Sequence, residues 1–105
     1  MTGVQTVTGR IEHSDMGIVL PHEHLSNDLG AAFSPAADER IRALLDGPVS
    51  PSLAWVLREH PYNSRDNVGL DDEAAVLQDL KSFKHRGGGT IIDLTPPGLG
   101  RNPST

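Results

Sequence analysis

His22-Glu23-His24 is the densest chemistry in this sequence. Side chains alternate along a strand, so residues two apart share a side, and both imidazoles project together. A neutral imidazole nitrogen is a good ligand for a divalent ion, so the pair could hold one ion from one side. The plainer reading is two polar groups closing a strand, and spacing alone leaves both open. Glu23 faces the other way and reads as structural. The apolar run Gly17-Ile-Val-Leu20 precedes the pair, placing it at a strand's C-terminal end. Parallel α/β folds gather their ligands and catalytic groups at that end.

The remaining candidates have plainer readings. His13 falls in a turn, His60 before a proline and His85 at a helix end, so each reads as solvated or capping. Asp93 either points toward a metal or is a buried residue paired with a backbone donor, and the second is favoured. Gly87-Gly88-Gly89 precedes a strand, whereas a phosphate loop lies between strand and helix, so that role is rejected. Gly98-Leu99-Gly100 has the right position but lacks the third glycine of a dinucleotide fingerprint. Arg101 could meet an anionic substrate, although pairing with a carboxylate is the simpler assignment.

These residues need elements to hold them. Val4 to Glu12 alternate loosely and predict an early strand. Turn chemistry at 13–17 leads to a buried strand from Gly17, the two making a hairpin or one feeding the other. Pro21 should end its ladder, because proline has no N–H to donate. Residues 31–67 form an excursion with two short helices. Ser34-Pro35 reads as the first helix start, with Asp38 and Glu39 in its first turn and Ile41, Leu44 and Leu45 as its stripe. Ser50-Pro51 starts the second, with Leu53, Val56 and Leu57 buried. A long helix follows over about 71–86, capped by Asp71 or Asp72, with Val76, Leu77, Leu80 and Phe83 inward. Gly87-Gly88-Gly89 stops it. Thr90 to Thr95 is a β-branched run that predicts a buried parallel strand, completing a βαβ unit. Asn102-Pro103 then signals another helix start, so the chain reads as the front part of a longer domain whose remainder is absent.

Composition narrows the class. The 105 residues carry 9 basic and 14 acidic side chains, a net charge of −5, and 36% are hydrophobic. That suits a single globular domain. A nucleic-acid partner would need a basic stripe, which is missing. No apolar run approaches the roughly 20 residues of a membrane helix, and Met1 to Asp15 lack a secretory pattern. With no cysteine there is neither a disulfide framework nor a thiolate metal site. The expected location is cytoplasmic, and any metal must sit on His, Asp, Glu or a modified side chain.

Several motifs together resemble the phosphotriesterase family of the amidohydrolase superfamily. They are Gly17-Ile-Val-Leu-Pro-His-Glu-His-Leu25, Leu70-Asp-Asp-Glu-Ala74, Phe83-Lys-His-Arg-Gly-Gly-Gly-Thr-Ile-Ile-Asp-Leu-Thr95 and Gly98-Leu-Gly-Arg-Asn-Pro103. The likeness covers most of 3–30 and 68–103, while 31–67 matches nothing specific. It implies an α/β fold: the N-terminal portion of a (β/α)8 TIM barrel, incomplete in this chain. It also implies two divalent ions, usually zinc, with His22 and His24 as metal ligands from the first strand. The family completes its site with a bridging carboxylated lysine, two more histidines and an aspartate, all beyond this chain. It often has Asp where Asn102 stands, which leaves the two histidines untouched. The implied reaction is hydrolysis of a small phosphotriester, lactone or related ester by a metal-bound hydroxide, with this fragment alone inactive. The alternative is a small non-catalytic β/α binding or structural module. Neither substrate nor oligomeric state is legible.

Overall fold

The computed structural model describes residues 3–104. In chain order the strands and helices are β1 (Gly3–Thr6), β2 (Gly9–Glu12), β3 (Ile18–Glu23), β4 (Asn27–Asp28), α1 (Glu39–Leu45), α2 (Ala54–Glu59), β5 (Gly69–Leu70), α3 (Glu73–His85) and β6 (Gly88–Asp93). They fall into two compact units. One contains the chain up to Leu25 and from Asp72 onward, and the other is Ser26–Asp71.

The first unit opens with β1 antiparallel to β2, Gly3 opposite Glu12 and Thr6 opposite Gly9. One strand was predicted over 4–12, but the chain reverses within it. The Thr6 hydroxyl donates to the Gly9 carbonyl at 2.7 Å, and Gly9 has φ 127, a region that favours glycine. The hairpin is thus internal to 4–12 and does not involve the next strand.

β3 instead pairs in parallel with β6, with Val19 opposite Thr90, Leu20 opposite Ile91 and Glu23 opposite Asp93. The register is irregular between Leu20 and Glu23, where Pro21 has no donor to give. The strand resumes beyond Pro21 and does not end there. Its apolar side chains are less covered than predicted, with Ile18 62% and Leu20 36% exposed.

α3 begins where the Asp72 carboxylate accepts from Ala75 N at 2.9 Å. Its acidic start and basic end suit the helix dipole. Val76, Leu80 and Phe83 are half-buried, but Leu77 is 50% exposed and does not join the inner face. Gly87, at φ 97, ends the helix as predicted. Gly88 and Gly89 belong to β6, whose first residues therefore precede the predicted strand. A Cβ at Gly88 would strike the Phe83 ring, and one at Gly89 the Met16 carbonyl, so both are needed for close approach.

The second unit is closed at its base by β4 antiparallel to β5, Asn27 opposite Leu70 and Asp28 opposite Gly69. α1 starts at Asp38, whose carboxylate accepts from Arg40 N at 2.8 Å, and not at Ser34-Pro35. Ser34 is occupied elsewhere, donating its N–H to Tyr62 O and accepting from the Asn63 side chain. A 3-10 turn at Pro51–Leu53 leads into α2. The buried apolar residues Ala36, Leu45, Val56 and Val68 all lie in this unit, with Ser64 among its buried polar groups. Among the described residues no helix is long and apolar enough to cross a membrane.

Candidate metal centre

β3 and β6 carry their C-terminal ends side by side, and that pairing builds the site. Beyond Glu23 the ladder gains one more bond, Leu94 N donating to Glu23 O at 3.0 Å. Asp93 then locks the two strand ends. Its Oδ2 accepts from Leu25 N at 2.9 Å and its Oδ1 from Thr95 N at 2.7 Å. Burial raises the Asp93 carboxyl, but the Thr95 hydroxyl, the two backbone donors and the nearby His24 outweigh it and hold it below its ordinary value. The backbone-paired reading of Asp93 therefore matches the geometry, although the side chain is exposed and not buried.

Within this frame the His22 and His24 rings approach edge to face, their centroids 5.6 Å apart. His22 is exposed and His24 half-buried. His24 Nδ1 lies 2.9 Å from the hydroxyl oxygen of Thr95, itself only 4% exposed. A metal-ligating histidine characteristically bonds through its second nitrogen to a neighbouring group, which fixes the ring. The donor set thus fits a divalent ion: two imidazoles, one anchored through Nδ1 with Nε2 remaining. It is a partial set, because among the described residues no third His, Asp or Glu joins the pair.

The other candidates have places of their own. His60 Nδ1 meets Asn63 Oδ1 at 3.1 Å, and His85 is the last residue of α3. His13 opens the 3-10 turn before β3. Arg101 is exposed and, among the described residues, has no carboxylate partner, contrary to the pairing predicted for it. Asn102 Oδ1 accepts from Ser104 N at 3.2 Å, the bond expected of a helix-capping side chain. Thr95 was missed as a site residue, being read only as the last member of a β-branched run. Its signal was positional: a hydroxyl at the C-terminal end of the strand beside the histidines.

The model of the phosphotriesterase family matches residues 2–105. The N-acetyltaurine hydrolase of Rattus norvegicus is 34% identical over 97% of this chain and 29% of its own length. A phosphotriesterase-related protein of Aedes aegypti is 35% identical over 97% of the chain and 30% of its own. Among solved structures, a resiniferatoxin-binding protein from Rhodobacter sphaeroides superposes with a TM-score of 0.88 at 35% identity. That match covers 96% of this chain and 28% of the other. The chain therefore spans less than a third of the length of the curated relatives it matches.

Proposed function

The chain belongs to the phosphotriesterase family, and we propose that it supplies the first metal ligands of a divalent-metal hydrolase. In this reading β3 and β6 are the first two strands of a (β/α)8 barrel, with α3 between them. The observation that carries it is the imidazole pair at the strand end, 5.6 Å between rings, with His24 held through Nδ1. His22 and His24 would hold one ion of a two-ion site, zinc being the expected metal, and the other ligands come from outside these residues. When bound, such ions acidify water to a nucleophile and polarise the acceptor oxygen of the substrate. This chain's part is orientation. Asp93 ties together the two strand ends from which the imidazoles project.

The substrate class is a small molecule with a hydrolysable acyl or phosphoryl bond. The expected esters are joined here by carboxylic amides, because relatives carry the name N-acetyltaurine hydrolase. A non-catalytic binding module is the second reading, favoured by the bacterial neighbour's description as a resiniferatoxin-binding protein.

Metal analysis of the complete protein, with turnover of an N-acyl amide, a lactone and a phosphotriester, separates the two. His22→Ala and His24→Ala should each lose metal and lower activity by orders of magnitude. Glu23→Ala should retain metal. Full metal content with both histidines changed would overturn the ligand assignment, and metal without turnover of any substrate class would favour the binding module.

A further inference from the structure

β3 ends at Glu23, so its strand stops one residue short of His24. Two bonds to β6 and its extension nevertheless straddle that histidine. On its near side Glu23 O accepts from Leu94 N at 3.0 Å, and on its far side Leu25 N donates to Asp93 Oδ2 at 2.9 Å. In the second bond a side chain stands where a ladder carbonyl would stand in a longer strand. Asp93 is itself held, because its Oδ1 accepts from Thr95 N at 2.7 Å, two residues further along. Its two oxygens thus serve two donors, one local and one 68 residues away in the chain. A carboxylate can serve both in this way, whereas an amide has one accepting oxygen and an NH2 that donates.

We propose that Asp93 is a positioning residue for metal binding: its carboxylate pins the peptide that follows His24 and so sets that imidazole in place before the ion arrives. This rests on the metal reading for its purpose, but the tether itself is a property of the metal-free chain. Backbone left free must be ordered when the ion binds, and that entropy is subtracted from the affinity. The tether acts on one ligand of the pair. His22 lies instead in the irregular step beside Pro21, where three steps along β3 match two along β6. The same two strands are also tied at their other end, where the Thr90 hydroxyl donates to Met16 O at 2.7 Å.

The test uses the complete protein. Hydrogen exchange of the metal-free form reads the Leu25 amide, and competition against a chelator reads zinc affinity. In wild type the Leu25 amide should be protected. Asp93→Asn keeps the shape, and its one accepting oxygen suits the local bond to Thr95 N, a turn that asparagine also makes. The Leu25 amide should therefore lose its protection. Zinc should bind about 10–100-fold more weakly, the usual loss when a group behind a metal ligand is removed. Thr90→Val is the control, since it loosens the strand pair at its other end and should leave zinc affinity as in wild type. An unprotected Leu25 amide in the wild-type protein overturns the proposal with no variant needed, which covers the case of a misfolded asparagine variant. Equal weakening by Thr90→Val also overturns it, because general loosening of the strands would then be the cause. Unchanged zinc in Asp93→Asn, alongside its loss in His24→Ala, defeats the proposal alone. Unchanged zinc in His24→Ala defeats the metal reading itself.

Discussion

Replacing Gly89 with alanine measures how closely β6 is seated against the start of β3. The new Cβ would land on the Met16 carbonyl oxygen, with Met16 C and Gly17 Cα each 3.1 Å away. All three are backbone atoms, so relief means shifting the chain and not rotating a side chain. Overpacking of this kind costs roughly 1–3 kcal/mol. The same carbonyl accepts the Thr90 hydroxyl at 2.7 Å, and disturbing that bond adds about 1 kcal/mol. Removing a strand glycine returns roughly 0.5–1 kcal/mol of backbone entropy. The balance is a loss of about 1–3 kcal/mol. Gly88→Ala is the comparison, because its Cβ meets the Phe83 ring, a side chain able to swing aside. It should lose about 1 kcal/mol or less. Urea unfolding of both variants, with unchanged m-values, gives the two losses on one scale. If Gly88→Ala proves as damaging as Gly89→Ala, the backbone contact does not limit strand approach and the reasoning fails.

In the second unit, Val56 is fully buried, so Val56→Ala should cost about 2 kcal/mol through lost burial and a cavity, read by the same unfolding measurement. Asp72→Ala removes the bond to Ala75 N that starts α3 and should cost about 1 kcal/mol, with Asp72→Asn recovering most of it. Asp38 is held below its ordinary value of 3.8 by the Arg40 side chain and backbone N–H. A lowered folded value means its contribution is present above that range and lost as pH falls through the folded value. Acid titration followed by circular dichroism should show α1 signal lost below about pH 4, and that loss should be absent in Asp38→Asn.

What could be read from the sequence was whatever local pattern alone decides. Val76, Leu80 and Phe83 lie within about 60° of one another on a helical wheel, whereas Leu77 stands about 100° from Val76. An apolar residue at the stripe's margin looks like a member of it, and only the width of the surface it meets decides. Ser34-Pro35 is a good helix start locally, and Asp38 reads as lying inside its first turn. Long-range bonds from Ser34 to Tyr62 and Asn63 settled the matter for Asp38. β4 and β5, two residues each, have no period to detect. The histidine pair was visible because strand alternation is local. Thr95 was not, because its role exists only once β6 lies beside β3.

The short β4–β5 pair has a consequence for how such a protein can diversify. It brings Asn27 against Leu70 and Asp28 against Gly69, so the chain leaves and returns at nearly one point. The segment between carries its own buried residues, Ala36, Leu45, Val56 and Val68. Lengthening a loop is thermodynamically cheap, each doubling adding about 0.6 kcal/mol of closure cost. A segment closed by four paired residues can therefore be trimmed, extended or exchanged like a cassette. Changes confined to that segment would leave the Asp93 bonds to Leu25 and Thr95 as they are.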